Sequence, residues 1–444
     1  MLPKNLPVMR KALASILSVC FTACLAGTSP GLPAELPARR KPNIILIMAD
    51  DLGYEMLGCY GNKAKLTPHL DRLSDSGMKF ERCYSTPLCT PSRVQLMTGK
   101  YNHRNYIGFG LLAPNETTFA DMMRQQGYKT GITGKWQLYG NERQRQLAGG
   151  KTGTLPADAG FDEFCLWQVD TLGSRYANPT VYTNTGRSVT LEGQYGPDVF
   201  NRFALSFIDK HKDEPFFLYY PMCLTHAPFE PTPFSADYRD DWKEDPKYFN
   251  DMVGYMDHLV GNVVNELTRL GLLENTILIF IGDNGTDKNI TFEANGRTRK
   301  GEKGTTTDGG IHAPMLVSWK GRVAPGTTSG SLIDFTDFVP TFLQAAGAAP
   351  DAYPGLDGVS FYPLLSGDRS KEREWVFCHY EPNWGNYVPK TFALDTRWKV
   401  YSTGEVFDLR KDRDEKTPLS PEQLTGSDRE EVGKLQQVIK KMYQ

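Results

Sequence analysis

The sequence lacks several features that would each indicate a particular class of protein. Its 444 residues carry a formal net charge of -2 without a dense basic stretch, so nothing favours binding to nucleic acid. Its eight cysteines show no CxxC spacing, which argues against a zinc knuckle or a disulfide scaffold, although one disulfide is compatible with them. No internal repeat is present. A composition of 40% hydrophobic and 23% charged residues is that of a globular protein.

Long apolar runs are also scarce, and the one near the N terminus is too short to span a bilayer. Residues 1–27 have the pattern of a signal peptide, because Lys4, Arg10 and Lys11 form a basic region that precedes "ALASILSVCFTACLAG", and Ala26 fits a cleavage site. Cys24 in "FTAC" offers a lipoprotein-type site as an alternative. We therefore predict an exported protein, periplasmic or secreted, with no stable membrane span.

Apolar runs typical of buried strands alternate with amphipathic helical segments up to about residue 350. "NIILIMADD" and "TILIFIGDNG" are continuous apolar runs, whereas residues 248–271 carry apolar side chains at helical spacing. Strands separated by helices predict an α/β fold with a large, mostly parallel sheet sandwiched by helices. We assign this domain to residues 41–350.

The pattern changes in the last part of the chain. "WVFCHY", "TFALDT", "RWKVYS" and "EVFDL" are short strand-like runs separated by turns, and "SDREEVGKLQQVIKKMYQ" reads as a closing helix. Residues 351–444 are therefore predicted to form a small antiparallel sheet subdomain with one helix.

Polar side chains follow two of the predicted core strands. Asp50 and Asp51 end the first apolar run, and Asp283 and Asn284 end the later one. Because ligands of open parallel sheets bind at the carboxyl ends of the strands, we expect these side chains to meet. Each pair alone is equally typical of a turn or a helix start. Together, their hard oxygen atoms favour a Ca²⁺ or Mg²⁺ site over zinc.

One cysteine stands at the start of a predicted helix, in "STPLCTPSRVQLMTGKY". Thr90 as N-cap and Pro91 in the first turn predict a helix that begins just after Cys89. The helix N-terminus and Arg93 favour an anion there, and they predict a lowered pKa for the thiol. The position alone is equally typical of a small buried residue.

The segment "CTPSRVQLMTG" matches the signature C-x-P-S-R-x-x-x-x-T-G of type I, formylglycine-dependent sulfatases, which belong to the alkaline-phosphatase-like superfamily. "PNIILIMADDLGYEMLGCYGN", "GKWQL", "THAPF", "FIGDNG" and "KGTTTDGGIHAP" resemble further blocks of that family in the family's order. The resemblance covers nearly all of residues 41–415. It implies a sulfuric ester hydrolase of the arylsulfatase-like kind.

The resemblance implies that Cys89 is oxidised to formylglycine by a formylglycine-generating enzyme. One hydroxyl of the hydrated aldehyde would attack the sulfur of a sulfate ester and expel the alcohol, and the other would then release sulfate. The family match also implies a metal ion, Ca²⁺ in preference to Mg²⁺, with these ligands: Asp50, Asp51, Asp283 and Asn284.

Four further residues match catalytic positions of the family. Arg93 would orient the diol, and His226 would protonate the leaving alcohol. Lys135 and Lys303 would hold the sulfate oxygens, with His226 also contacting the substrate. Without the resemblance, both lysines would be interpreted as solvated surface charges.

The chain departs from the family pattern at a few positions. Gln137 stands where G-K-W-H-L-G has a histidine, and we assign it to substrate binding. An amide cannot accept a proton at neutral pH, so the base of the second step is left open. Asp308 and His312 replace a common glutamate and arginine, which we interpret as variation around the pocket. His103 is also predicted to contribute to the pocket.

Two alternatives accompany the sulfatase hypothesis. One is a phosphonate or phosphate ester hydrolase of the same superfamily, and the other is a non-catalytic binder of sulfated glycans, which Gln137 would permit. The aromatic-rich segments "YANPTVYTNTGRSVTLEGQYG" and "CHYEPNWGNYVPK" favour a carbohydrate sulfate as ligand, although they are equally typical of packed loops.

Overall fold

The structure, a computed structural model, describes residues 41–238, 243–294, 296–349 and 351–444. The predicted signal peptide and Cys24 lie outside these residues. The chain from residue 41 onward belongs to one compact unit, and the boundary at residue 350 stays a prediction. Within the described ranges, no helix combines the length and the apolar character needed to cross a membrane.

The described residues form seventeen strands and ten α-helices. The strands are β1 Asn43–Ala49, β2 Met78–Tyr84, β3 Lys129–Lys135, β4 Glu163–Trp167, β5 Thr180–Thr183, β6 Ser188–Thr190, β7 Phe216–Pro221, β8 Thr276–Gly282, β9 Thr291–Ala294, β10 Arg297–Lys300, β11 His312–Ser318, β12 Thr327–Ser329, β13 Ile333–Asp334, β14 Val376–Tyr380, β15 Lys390–Leu394, β16 Trp398–Tyr401 and β17 Val406–Asp408. The helices are α1 Pro68–Asp75, α2 Cys89–Thr98, α3 Asn102–Asn105, α4 Phe119–Gln125, α5 Glu142–Leu147, α6 Gly196–Lys210, α7 Phe249–Arg269, α8 Asp308–Ile311, α9 Phe338–Ala345 and α10 Gly426–Lys441.

The large sheet confirms the predicted α/β class. Its eleven strands run in the order β12-β2-β11-β8-β1-β7-β3-β4-β5-β6, with β13 beside β2. The five central strands, from β8 to β4, are parallel to one another. Antiparallel pairing is confined to the flanks, where β11 opposes both of its neighbours and β5 opposes β4 and β6.

The first strand shows why the sheet is covered on both faces. Successive side chains of a strand point to opposite faces. Ile44 and Leu46 belong to one apolar core, whereas Ile45 and Ile47 belong to the other, and all four are fully buried. Burying each such side chain stabilises the fold by about 1.5–3 kcal/mol. The helices on both faces therefore follow from the continuous apolar runs.

The second sheet confirms the predicted C-terminal antiparallel sheet with its single helix. Its order is β14-β15-β16-β17, and α10 packs against it through Val432 and Leu435. His103 contacts this region as well, since its ring lies 5.6 Å from that of Phe377 and 5.7 Å from that of Tyr443. The contribution of His103 to the pocket stays a prediction.

All cysteines in the described part of the chain are free thiols, so it contains no disulfide. They are Cys59, Cys83, Cys89, Cys165, Cys223 and Cys378.

A buried ion pair joins the segment before β14 to the body of the large sheet. The Arg373 guanidinium donates to both carboxylate oxygens of Asp337, just ahead of α9. It also donates to the Tyr101 hydroxyl at 2.9 Å. The Arg373 and Asp337 side chains are 3% and 1% exposed, so water does not screen the pair.

We predict that Arg373→Met lowers the free energy of unfolding by about 3–5 kcal/mol, because the Asp337 carboxylate is left buried without its partner. Denaturant titration measures this loss. The matched control is Arg369→Met, which breaks an exposed pair with Glu372 and is expected to cause no measurable change. Equal losses in both variants would show that the buried pair does not anchor the C-terminal segment.

Candidate active site

Two neighbouring strands deliver the predicted metal ligands to one point. Ala49 at the end of β1 pairs with Gly282 at the end of β8, so the residues that follow each strand lie side by side. The Asp51 amide donates to Asp283 Oδ1 at 2.9 Å, and Asn284 Nδ2 donates to Asp51 Oδ1 at 2.9 Å. Together with Asp50, these four residues form the acid cluster, and each is at most 2% exposed.

Two oxygen atoms of the acid cluster have no partner among the described residues. They are Asp283 Oδ2 and Asn284 Oδ1, and both are buried. Burial, together with the charges of Asp50 and Asp51, raises the pKa of Asp283 well above its usual value. An unpaired buried carboxylate is costly, whereas hard oxygen atoms are the ligands that Ca²⁺ and Mg²⁺ prefer. The residues present therefore fit a divalent cation.

Two lysines offset part of this negative charge. Lys135, the last residue of β3, donates to both Asp50 oxygens at 2.8 and 2.9 Å and is 1% exposed. Although burial raises the pKa of Asp50, the surrounding positive charges, Lys135 first among them, together outweigh that effect and hold the pKa below its usual range. Lys303 hydrogen-bonds to Asp51 Oδ2. Two carboxylates thus have a cationic partner, whereas no ion pair of Asp283 is found in the part of the chain that the structure describes.

Cys89 lies against the acid cluster. Its Sγ and carboxylate oxygens of Asp50 and Asp283 are all within 4.8 Å of one another. The helix α2 begins at Cys89 itself, and its N-cap is Leu88 rather than the predicted Thr90, whose hydroxyl accepts from the Gly110 amide at 3.1 Å. The predicted lowering of the thiol pKa is also wrong, because burial outweighs the nearby lysines and raises it.

Arg93 fixes the start of α2 to the end of β3. Its guanidinium donates to the carbonyl oxygens of Lys135 and Trp136 at 2.6 and 2.5 Å. The remaining donor, Nε, is buried and has no partner among the described residues. Arg93 therefore holds Cys89 and Lys135 next to each other, while its predicted contact with the diol stays a prediction.

His226 lies on the loop that follows β7, on another side of the acid cluster. Its Nδ1 is 2.6 Å from the Ala227 carbonyl oxygen, which can only accept, so Nδ1 carries a proton. Its Nε2 is 3.6 Å from Asp51 Oδ2. Burial, and then the charge of Lys303, lower the pKa of His226 to about 3. The ring is therefore neutral at pH 7, with Nε2 as the unprotonated atom.

The residues that depart from the family pattern lie in different places. Gln137, two residues beyond Lys135, has a φ of 47° in the left-handed region and is half-buried. Asp308 and His312 both contact Arg413, at 2.7 and 2.8 Å, in a cluster of their own. None of the contacts found in the described residues joins these two side chains to the acid cluster.

One charged residue next to the acid cluster was missed in the sequence. The Arg175 guanidinium lies 3.8 Å from the centre of the Trp167 ring, and its Nη1 is 4.0 Å from Asp50 Oδ2. Arg175 belongs to no family block and lies in a loop far from Asp50 in sequence. The one signal available was the aromatic-rich segment that begins at the next residue, Tyr176.

Two family models match the chain. The sulfatase model matches residues 42–348, and the model described as N-sulphoglucosamine sulphohydrolase, C-terminal, matches residues 302–441. Human arylsulfatase A is 33% identical over 407 residues, covering 82% of this chain and 75% of its own length. The N-acetylgalactosamine-6-sulfatase of Canis lupus familiaris is 30% identical over 419 residues, which cover 83% of this chain and 75% of that protein.

Solved structures agree with these matches. The crystal structure of Ps i-CgsB superposes with a TM-score of 0.74 at 27% identity, covering 91% of this chain and 93% of that chain. The phosphonate monoester hydrolase of Agrobacterium radiobacter gives a TM-score of 0.66 at 19% identity, covering 91% and 96%, and this likeness shows the fold alone. Since the sulfatase model spans more than half of the chain and the motif resemblance is confirmed, the chain belongs to the sulfatase family, whose members are enzymes that hydrolyse sulfate esters.

Proposed function

We propose that this sulfatase hydrolyses a carbohydrate sulfate outside the cytoplasm, with formylglycine at position 89 and Ca²⁺ at the acid cluster. The observation that carries the proposal is the position of Cys89, whose sulfur lies within 4.8 Å of carboxylate oxygens of Asp50 and of Asp283, and Asp283 has a buried oxygen without a partner among the described residues. The predicted signal peptide supports an exported enzyme, periplasmic or secreted.

Position 89 supplies the nucleophile after maturation by a formylglycine-generating enzyme. The hydrated aldehyde offers two hydroxyls: one displaces the alcohol from sulfur, and loss of the proton from the other releases sulfate and restores the aldehyde. The unmodified thiol is unsuited to attack, because its raised pKa disfavours the thiolate at neutral pH. The neighbouring cations then stabilise the anionic groups that occupy the site.

The metal ligands are the four residues of the acid cluster. A bound Ca²⁺ supplies positive charge for the sulfate oxygens and lowers the pKa of a hydroxyl that contacts it. Ca²⁺ fits the site better than Mg²⁺, because it accepts several carboxylate and amide oxygens in flexible geometry, whereas Mg²⁺ retains water ligands.

Side chains of the protein stabilise the remaining negative charge of the sulfate group and of the leaving alcohol. Lys135 and Lys303 are fixed beside the acid cluster and hold the sulfate oxygens. Arg93 positions the nucleophile through its hydrogen bonds to the carbonyl oxygens of Lys135 and Trp136. The unprotonated Nε2 of His226 takes up the proton that the attacking hydroxyl loses and delivers it to the leaving alcohol. A fixed cation directed at developing negative charge contributes about 3 kcal/mol to transition-state stabilisation.

The aromatic residues packed around Gly304, next to Lys303, support a carbohydrate as substrate. The Tyr380 hydroxyl lies 3.5 Å from the carbonyl oxygen of Gly304, and the Tyr387 ring fills the space that a side chain at Gly304 would need. Trp384 stacks on Phe109 at 4.7 Å. The structure of Ps i-CgsB in complex with k-i-k-neocarrahexaose, at 27% identity, shows that a protein similar to this one binds a sugar chain.

We predict that Cys89→Ser releases at most one alcohol molecule per chain, because a serine sulfate ester lacks the second hydroxyl that expels sulfate. Product formed per enzyme molecule over time, with 4-nitrophenyl sulfate as substrate, measures this. Cys59→Ser, at a half-exposed thiol, is the control and should turn over repeatedly. Repeated turnover by Cys89→Ser would contradict the proposal, and faster cleavage of 4-nitrophenyl phosphate by the wild type would favour the phosphate ester alternative.

Metal binding is predicted to stabilise the folded chain. A ligand at a hundredfold excess over its Kd contributes about 2.7 kcal/mol, so adding Ca²⁺ to chelator-treated protein should raise the unfolding temperature. Asp283→Asn should abolish this rise, because the amide removes the anionic ligand. Asp209→Asn, at an exposed acid on α6, should retain it. If Ca²⁺ raises the unfolding temperature equally in both variants, the ion does not bind at the acid cluster.

Gln137 is predicted to make release of sulfate the slow step. Pre-steady-state kinetics of the wild type should therefore show a burst of alcohol before the steady state. Gln137→His supplies a proton acceptor and should remove the burst and raise kcat by up to about a hundredfold. Gln137→Asn keeps the amide and should keep the burst. A wild type without a burst, and a histidine variant no faster, would contradict this role.

A further inference from the structure

Arg175 is a cation that the proposed sulfate chemistry leaves unused. Its side chain is 12% exposed, and its Nη1 is buried without a hydrogen-bond partner among the described residues. The guanidinium lies 3.8 Å over the Trp167 ring, and Nη1 comes to 4.0 Å from Asp50 Oδ2, beyond hydrogen-bond distance. A charged donor is thus held at the edge of the active site, and the two N–H groups of its Nη1 make no hydrogen bond among the described residues.

The loop around Arg175 is fastened on both sides. Trp167 Nε1 donates to the Gly173 carbonyl oxygen at 2.7 Å. The Tyr176 hydroxyl lies 2.8 Å from the carbonyl oxygen of Cys223 and 2.5 Å from that of His226. Arg175 is therefore positioned relative to His226, on the side of the site where the leaving alcohol is protonated.

The nearby carboxylates leave Nη1 of Arg175 without a hydrogen bond, although Asp50 lies within ion-pair distance at 4.0 Å. Both oxygens of Asp50 already accept from Lys135, and Lys303 is paired with Asp51. The Trp167 ring offers a cation–π contact, which stabilises the charge but leaves the N–H groups free. A buried cation in this state favours an anion supplied from outside.

We propose that Arg175 is a specificity-determining residue that binds a second anionic group, a carboxylate or another sulfate, on the sugar that carries the scissile sulfate. This inference rests on the proposed function. The planar guanidinium matches the paired oxygens of either group, and its position beside His226 places it along the leaving sugar rather than along the sulfate that is removed.

The test compares substrates that differ only in the second anion. The probes are 4-nitrophenyl sulfate, a neutral monosulfated disaccharide, the same disaccharide with an adjacent uronate, and the same disaccharide with a second sulfate. Arg175→Ala should lower kcat/KM by about 10- to 100-fold on the two dianionic sugars, mainly through KM, and by less than about threefold on the other two probes. The more affected dianionic sugar identifies the group that Arg175 binds.

A control and a binding measurement complete the test. Arg322→Ala, which removes an arginine stacked on Trp319 on the surface, should leave all four rates unchanged. In a Cys89→Ala background, which needs no turnover, Arg175→Ala should weaken binding of the dianionic sugar by a similar factor. An equal loss on every probe, or no loss on any, would overturn the assignment. If Arg175→Ala weakens binding of the dianionic sugar but the wild type releases no sulfate from any probe, only the proposed function is overturned.

Discussion

The site depends on three carboxylates held together in a buried, poorly screened environment. Asp50, Asp51 and Asp283 meet because β1 and β8 are neighbours that end at the same level. Like charges at this separation repel strongly where water is excluded. Lys135 and Lys303 each pair with one carboxylate, which leaves Asp283 and the amide oxygen of Asn284 for a metal ion. The acid cluster is therefore stable only when positive charges, those of the two lysines among them, lie beside it.

The sheet assembles that arrangement from distant parts of the chain. Lys135 comes from the end of β3, His226 follows β7, and Cys89 opens α2, which Arg93 ties to β3 through two backbone carbonyls. All of them approach the same edge, because parallel strands present their carboxyl ends on one side. The C-terminal segment then packs beside Lys303, where Tyr380 and Tyr387 contact Gly304.

The meeting of Asp50, Asp51, Asp283 and Asn284 could be predicted from the sequence because each pair directly ends an apolar strand, which is a local pattern. The N-cap of α2 was predicted two residues late, at Thr90 instead of Leu88, since Thr90 and Pro91 dominate the local signal. The pKa of Cys89 was predicted in the wrong direction, because burial depends on packing that no short segment encodes. Arg175 was missed for the same reason: only the tertiary fold brings its loop to Asp50.

The most direct measurement is the mass of the peptide from Cys83 to Arg93, isolated from active, metal-loaded protein made together with a maturing enzyme. The account predicts that residue 89 carries an aldehyde, seen as the mass loss expected for conversion of a thiol and as reactivity with hydrazide reagents, while Cys83 is unchanged. An active protein whose residue 89 is an intact thiol would contradict it.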